Sequence, residues 1–187
     1  MKISIILPTY KRAGLYLSRA IESVIAQTYK DWELIIIDNN SKDGTEALVN
    51  SYESKNIHFY TINNDGNIAK SRNLGISKSS GEYIAFLDSD DYWYKDKLKA
   101  CMDALSQKKD YQCICHSEIW EYPENHSLTR HYGPENNFSF EKLLTCGNCL
   151  SLSATMVKKS ILIKTGSFSE DKDMITAEDY DLWIKIS

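Results

Sequence analysis

Apolar and amphipathic segments alternate through the first hundred residues of this chain. Ile3-Ser4-Ile5-Ile6-Leu7 is rich in β-branched side chains and closes at Pro8, the pattern of a strand buried on both faces. Leu15, Leu17, Ala20, Ile21, Val24 and Ile25 then recur at helical spacing, with Arg19 and Glu22 on the other side. Trp32 to Asp38 reads as a second strand, and Asp43-Gly44-Thr45 opens a second helix with Asp43 or Thr45 as its cap. A third strand over 57–62, a third helix over 68–76 and a fourth strand over 83–87 complete the run. This order implies right-handed crossovers and predicts an α/β fold, Rossmann-like, with a mostly parallel central sheet flanked by helices. Such sheets bind ligands beyond the carboxyl ends of their strands. Those ends are Pro8-Thr9-Tyr10, Asp38-Asn39-Asn40 and Asp88-Ser89-Asp90-Asp91, three polar clusters converging on one edge.

The pattern loosens after residue 100. A helix is expected over 98–105 and a strand over 111–116. The segment 121–137 holds Pro123, Gly133 and Pro134 among many polar residues and reads as a loop or excursion. A short helix over 140–144 and a strand over 152–157 follow. The last helix opens near Tyr180 and meets Ser187 without a cap signal. The expectation is therefore a single domain over 1–187, truncated at its C-terminus, with residues 1–100 and 101–187 as its two halves.

Size and charge narrow the partners. A chain of 187 residues suits one core, and 42% hydrophobic with 26% charged residues is ordinary for a globular domain. The net charge of -4 argues against a nucleic-acid partner, yet helix N-termini or a metal ion can still hold a phosphate locally. The apolar start is too short for a signal peptide or membrane span, and five cysteines without a secretion signal read as reduced thiols of the cytoplasm. Cys113-x-Cys115 and Cys146-x-x-Cys149 lack the usual zinc spacing, so these side chains read as small buried hydrophobes. His116, His126 and His131 read as surface or loop residues.

Asp88-x-Asp90-Asp91 is the sharpest chemical feature. Three carboxylates on one turn repel each other unless a cation or hydrogen-bond donors compensate. Oxygen-only ligands suit Mg²⁺ or Mn²⁺; the competing structural role is capping, by Asp90 or Asp91, of the helix that begins near Lys95. A dinucleotide fold would need Gly-x-Gly-x-x-Gly after the first strand, where this chain has Pro8-Thr9-Tyr10-Lys11-Arg12. A P-loop motif is absent as well. Tyr92, Trp93 and Tyr94 could stack on a sugar or fill the interface beneath the loop.

Several segments together resemble the family 2 glycosyltransferases. They are Ser4-Ile5-Ile6-Leu7-Pro8-Thr9-Tyr10, Gln27-Thr28-Tyr29 with Asp31-Trp32-Glu33-Leu34, and Asp38 through Thr45. Ser71-Arg72-Asn73-Leu74-Gly75-Ile76, Gly81-Glu82-Tyr83-Ile84 running to Asp91, and Glu178-Asp179-x-Asp181-Leu182-Trp183 continue the match. The resemblance is dense over 1–100, sparse over 101–176, and returns at 178.

The resemblance implies a GT-A fold and a nucleotide-diphosphate sugar donor, usually a UDP-sugar, with a glycan or lipid-linked acceptor. By position Pro8, Thr9 and Tyr10 would line the nucleoside pocket, with Asp38 or Asn39 near the base. Asn39 departs from a frequent second aspartate, and Asn67 stands where the family commonly has glycine. Arg72 would lie near the nucleotide or its phosphates, Asp88 near the ribose or the metal's waters and Ser89 in the nucleotide-sugar site, with Asp90 as metal ligand aided by Asp88. The structural alternative for Arg72 is a surface residue paired with a local acid. The implied reaction is attack of an acceptor hydroxyl on the anomeric carbon with inversion. Asp179 is the candidate general base and Glu178 the second candidate; the structural alternative is two acids favoured by a helix N-terminus. The family implies bacterial surface polysaccharide or glycoconjugate assembly, at the cytoplasmic side and with peripheral membrane association. Competing readings are a sugar-nucleotide pyrophosphorylase, whose glycine-rich basic first loop is missing, and a donor-binding module without catalysis.

Overall fold

The computed structural model describes residues 1–108, 110–134 and 138–187. Its first half runs β1 (Ile3–Thr9), α1 (Leu15–Ile25), β2 (Trp32–Asp38), α2 (Thr45–Asn50), β3 (Ile57–Thr61), α3 (Ile68–Lys78) and β4 (Tyr83–Phe86). The second half adds α4 (Lys97–Gln107), β5 (Cys113–Cys115), β6 (Glu118–Tyr122), β7 (His126–Arg130), α5 (Phe140–Cys146), β8 (Thr155–Lys158), α6 (Lys159–Lys164) and α7 (Glu178–Ile186). Six strands form one sheet in the order β3-β2-β1-β4-β8-β5, parallel through β4 and antiparallel at β8 and β5.

Alternation along β1 divides the core. Ile3, Ile5 and Leu7 join the cluster beneath α1 and α4, while Ile6 points to the cluster that includes α3, α6 and α7. Pro8 does not end the strand as expected; it pairs with Ile37 and Thr9 with Asp38. Ile6 accepts from Leu87 N on the β4 side, so Pro8, two residues on, faces the same side after the β4 pairing has ended at Ile6. The N–H that proline lacks is not needed there. Gly75 lets α3 settle directly on the sheet, since a Cβ there would lie 2.6 Å from Ile6 Cγ2.

The predicted apolar stripe of α1 holds at Leu17, Ala20, Ile21 and Val24, whereas Leu15 and Ile25 are exposed. Leu15 lies about 200° around the helix from Leu17, away from the sheet. The larger correction falls in 121–137. Residues 118–130 form an antiparallel hairpin of β6 and β7, with Pro123 in its one-turn 3₁₀ connection. Neither strand carries a strictly apolar face, so alternation gave no signal. Residues 135–137 of that expected loop lie outside the described residues. The helix α6 was not expected either; six residues are too few for its period to register.

Candidate active site

At the carboxyl edge of the sheet, the ends of β1 and β2 are tied by their own loops. Asp38 is buried, and its carboxylate accepts from Ser41 N at 2.8 Å and from the Ser41 hydroxyl. Ser41 Oγ accepts from Lys11 N at 2.8 Å, joining the two loops. Asp43 accepts from Thr45 N and Ala13 N, so it serves both the start of α2 and the loop before α1. Thr9 is buried, Tyr10 is exposed, and Pro8 lies within the strand between two sheet neighbours' ends. Asn39 Oδ1 accepts from Asn64 N at 2.9 Å, which fixes the amide against the β3–α3 loop.

The α3 helix carries the central cation. Asn67 caps it, its Oδ1 accepting from Ala69 N, while its Nδ2 donates to Glu170 O at 2.9 Å. Glycine at that position could do neither. Asn73 binds Phe168 through both its amide groups and Glu170 through Nδ2, so α3 draws the segment before α7 onto the first half of the chain. Arg72, on the inner face, is only 4% exposed. Its Nη1 donates to Glu178 Oε1 at 2.7 Å and its Nη2 to Asp88 Oδ1 at 3.2 Å. The guanidinium lies 5.5 Å from the Phe168 ring, which meets Phe86 edge-on. Arg72 is thus no surface residue paired with a local acid; its partners lie 16 and 106 residues away.

The acid turn after β4 is held differently at each carboxylate. Asp88 N donates to Ser153 Oγ at 3.1 Å, anchoring the turn to the loop before β8. Asp90 is exposed and paired with Arg12 at 3.2 Å, and Ser89 between them is nearly buried. Burial of the carboxyl, opposed by a Ser153 hydrogen bond and reinforced by Asp88, Asp90 and Glu118, pushes Asp91 up to about 6. Asp90 and Asp91 do not cap the next helix, whose N-cap is Asp96. Trp93 fills the interface beneath the turn, with its indole donating to Ser153 O, while Tyr94 is exposed.

Glu178 and Asp179 open α7 and part company there. Glu178 is 6% exposed and committed to Arg72. Asp179 is half-buried; its Oδ2 accepts from Asn148 Nδ2 at 3.0 Å and its Oδ1 from Tyr180 N. Burial raises the Asp179 pKa and Glu178 adds to the effect, against the two hydrogen bonds and the more distant Arg72. Sequence reading missed Asn148, Ser153, Arg12 and Asn73; only Asn73 stood within a recognised segment.

The turn offers oxygen donors alone, which suit a hard divalent cation. Among the described residues no three His, Cys, Asp or Glu side chains form a metal cage. An ion at Asp90 and Asp88 would therefore take much of its shell from phosphate oxygens and water, the habit of Mg²⁺. Thr9 Oγ1, Arg72 Nε and Glu178 Oε2 are buried without partners among the described residues, so this edge retains unmet polar capacity. The cysteines diverge from a uniform buried set: Cys101 is buried, Cys146 exposed. His116 is half-buried, and His126 lies in β7 rather than a loop.

Comparison with known proteins places these features. The profile of Glycosyl transferase family 2 matches residues 4–162. The Escherichia coli protein UDP-Glc:alpha-D-GlcNAc-diphosphoundecaprenol beta-1,3-glucosyltransferase WfgD is 33% identical over 186 residues, covering 98% of this chain and 69% of WfgD. The chain spans about half the length of curated relatives it matches, 58% of each of two. S. aureus TarS 1-349, solved in complex with UDP-GlcNAc, superposes with a TM-score of 0.79 at 22% identity, over 100% of this chain and 53% of that one. The mannosyltransferase PcManGT from Pyrobaculum calidifontis, solved with GDP-Man and Mn²⁺, gives a TM-score of 0.73 at 18% identity over 98% of this chain and 51% of that one. No helix among the described residues is long and apolar enough to cross a membrane. Matched over most of its length by the family profile and sharing the architecture of these folds, the chain belongs to glycosyl transferase family 2 and has its GT-A fold.

Proposed function

We propose that the protein transfers a sugar from a nucleotide-diphosphate donor, a UDP-sugar, to a hydroxyl of a glycan or lipid-linked acceptor with inversion. The observation that carries this reading is the ion-pair chain Glu178–Arg72–Asp88, buried at Glu178 and Arg72, which links the acid turn to the helix bearing Asp179. The pairing of Glu178 with Arg72 favours Asp179 over Glu178 as the base. An alcohol is a weak nucleophile, so Asp179 accepts the hydroxyl proton as the acceptor oxygen attacks the anomeric carbon and the nucleoside diphosphate leaves. A base whose pKa is raised toward the working pH is the better proton acceptor. Thr9, Tyr10 and Asn39 line the nucleoside end, with Pro8 and Asp38 shaping their loops. Asn67 holds the start of α3 in place, and Ser89 packs under the turn. Asp90, aided by Asp88, would hold Mn²⁺ or Mg²⁺, whose charge would offset that of the leaving diphosphate. One base and one leaving-group site suffice for a single displacement, which supports inversion.

The donor complexes of TarS and PcManGT support the nucleotide-sugar reading, and the Mn²⁺ of PcManGT supports the metal. The lipid-linked acceptor in the name of WfgD supports a role in polysaccharide or glycoconjugate assembly at the cytoplasmic face of a membrane, with peripheral association. The test is thermal denaturation with UDP and UDP-sugars, with and without Mn²⁺. A ligand bound only by the native state raises Tm by mass action. The expected result is stabilisation that is greater with metal, the metal-dependent part being abolished in Asp90→Ala and retained in Asp91→Ala. Absence of any shift with every nucleotide would overturn the donor site.

A further inference from the structure

A cleft of about 960 Å³ runs from the acid turn to the β6–β7 hairpin, on the α4 side of the sheet. Its volume is at the upper end of the ~300–1,000 Å³ typical of small-molecule sites. Asp90 and Asp91 form one lip, Trp93 and Lys97 line the α4 side, and His116 and Trp120 line the side of β5 and the hairpin. Apart from Asp90 at the lip, the catalytic reading above assigns no residue to this space.

Two buried polar atoms in its wall lack partners. Lys97 is 7% exposed, and its Nζ makes no hydrogen bond among the described residues. Its closest company is the Trp93 ring, with the ammonium 3.5 Å from the centroid, which offers attraction but no lone pair for the three N–H groups. The carboxylate nearby, Glu118, is already engaged by Tyr132, Ser151 and Trp120. Glu121, nearer the rim, is engaged by Tyr92 and Arg19. Lys97 is therefore the cation of the cleft that has no hydrogen-bonded anion among the described residues, although the charges of Glu118, Asp91 and Asp96 share its lining. Burying an ammonium without a hydrogen-bonded anion is unfavourable, and the position is explained if a ligand supplies the anion. Burial lowers the Lys97 pKa to about 8, against the charge of Glu118, which acts to raise it.

His116 adds the complementary demand. Its Nδ1 sits 2.8 Å from Ser117 O, an atom that can only accept, so Nδ1 carries the proton. Burial, and Lys97 itself, lower the His116 pKa and favour the neutral ring. Nε2, also without a partner, is then a buried acceptor. One wall thus asks for an oxyanion at Lys97 and a hydroxyl donor at His116, between aromatic neighbours. A sugar bearing a carboxylate or phosphate has both groups.

The geometry points to this cleft as the acceptor subsite, taking an anionic saccharide whose oxyanion pairs with Lys97 and whose hydroxyl donates to His116. This rests on the glycosyl-transfer reading and deepens it, because the cleft opens at the acid turn where the donor would end.

The four tryptophans make the test direct. Trp93 and Trp120 line the cleft, while Trp32 and Trp183 are buried in the two core clusters. In ¹⁵N-indole NMR spectra of the full chain, methyl glucuronide or a hexose 6-phosphate should shift Trp93 and Trp120 and leave Trp32 and Trp183 in place. Methyl glucoside and inorganic phosphate should shift them at least tenfold less at the same concentration. Which of the two anionic sugars acts identifies the oxyanion. Lys97→Met, which keeps volume and removes charge, should lose the response. Its response to UDP with Mn²⁺, followed by thermal shift, should remain. The inference is overturned if neither anionic sugar moves the two indoles, if the neutral sugar moves them equally, or if Lys97→Met responds like wild type. The wild-type titration decides the matter should the variant fail to fold. UDP binding with silent cleft indoles would sink this inference alone; an anionic-sugar response without nucleotide binding would sink the donor reading instead.

Discussion

Residues 1–100 and 101–187 build the same edge of the sheet by different means. In the first half each strand delivers its chemistry to the turn immediately after it: Thr9 after β1's core, Asp38 at the end of β2, Asp88 two residues beyond β4. Local sequence therefore carries both fold and site. In the second half the relevant side chains reach the edge through contacts across long separations. Glu178 meets Arg72 over 106 residues, Asn148 meets Asp179 over 31, and Ser153 meets Asp88 over 65. The lesson is that the proposed donor end is preassembled by parallel strand pairing, whereas the proposed base is delivered by side chains that hold two halves together.

The largest effect should come from the delivered part. Asp179→Asn keeps shape and hydrogen bonding but cannot take a proton, so transfer should fall by about 10²–10⁴-fold with nucleotide binding unchanged. Turnover and UDP thermal shifts, measured on a form of the protein that transfers, check this. Near-normal turnover in Asp179→Asn beside a dead Glu178→Gln would exchange their roles.

Next is the joint between halves. Arg72→Met leaves Glu178 buried without its cation and should destabilise the fold by about 3–5 kcal/mol in urea denaturation. Pairing it with Glu178→Leu should recover part of that loss, since two apolar side chains leave no stranded charge. If Arg72→Met is neutral, the Glu178–Arg72–Asp88 chain is not what holds the two halves together.

The first half has its own buried acid, away from the site. Glu33 is nearly buried, which by itself would raise its pKa; hydrogen bonds from Lys2, Ser4 and Ser80 overcome this and hold it at about 2. A carboxylate depressed in the folded state contributes stability above its unfolded value of 4.5, lost as pH falls toward about 2. The loss should be on the order of 2 kcal/mol. Urea midpoints between pH 6 and 2.5 should show a smaller acid loss for Glu33→Gln than for wild type; equal slopes would show that the Lys2–Ser4–Ser80 cradle is not what depresses it.

The smallest effect concerns tuning. Asn148 Nδ2 stabilises the Asp179 carboxylate, so Asn148→Ala should raise the pKa of the base further. Activity requires the ionised base, and the acidic limb of the pH–rate profile should move to higher pH by less than about one unit. A limb that stays in place would mean that Asp179 is not the titrating group.

Much of the molecule was legible from its residues. The parallel strands through residue 87 and the helices between them follow from β-branched runs and helical periodicity, because each is a local pattern. The edge on which ligands should bind followed from strand order alone. The hairpin 118–130 was read in part as a loop because exposed Trp120, Tyr122 and Leu128 share its strands with charged residues, leaving no clean alternation. Asp91 illustrates the same limit: its sequence neighbours suggested a cap, while its environment depends on Ser153 and Glu118, brought from elsewhere.

The sequence by itself determined the α/β class, the family and the acid turn at the strand's end, since strand pattern, motif order and turn chemistry are encoded within a few residues of one another. Tertiary structure decided what those residues face. It turned Arg72 inward between two distant acids, separated Glu178 from Asp179, and left Lys97 Nζ buried without a hydrogen-bond partner among the described residues. The physical reason is that hydrogen bonds and charge pairs depend on distance in space, and loop closure brings such partners together without leaving a periodic trace in the chain.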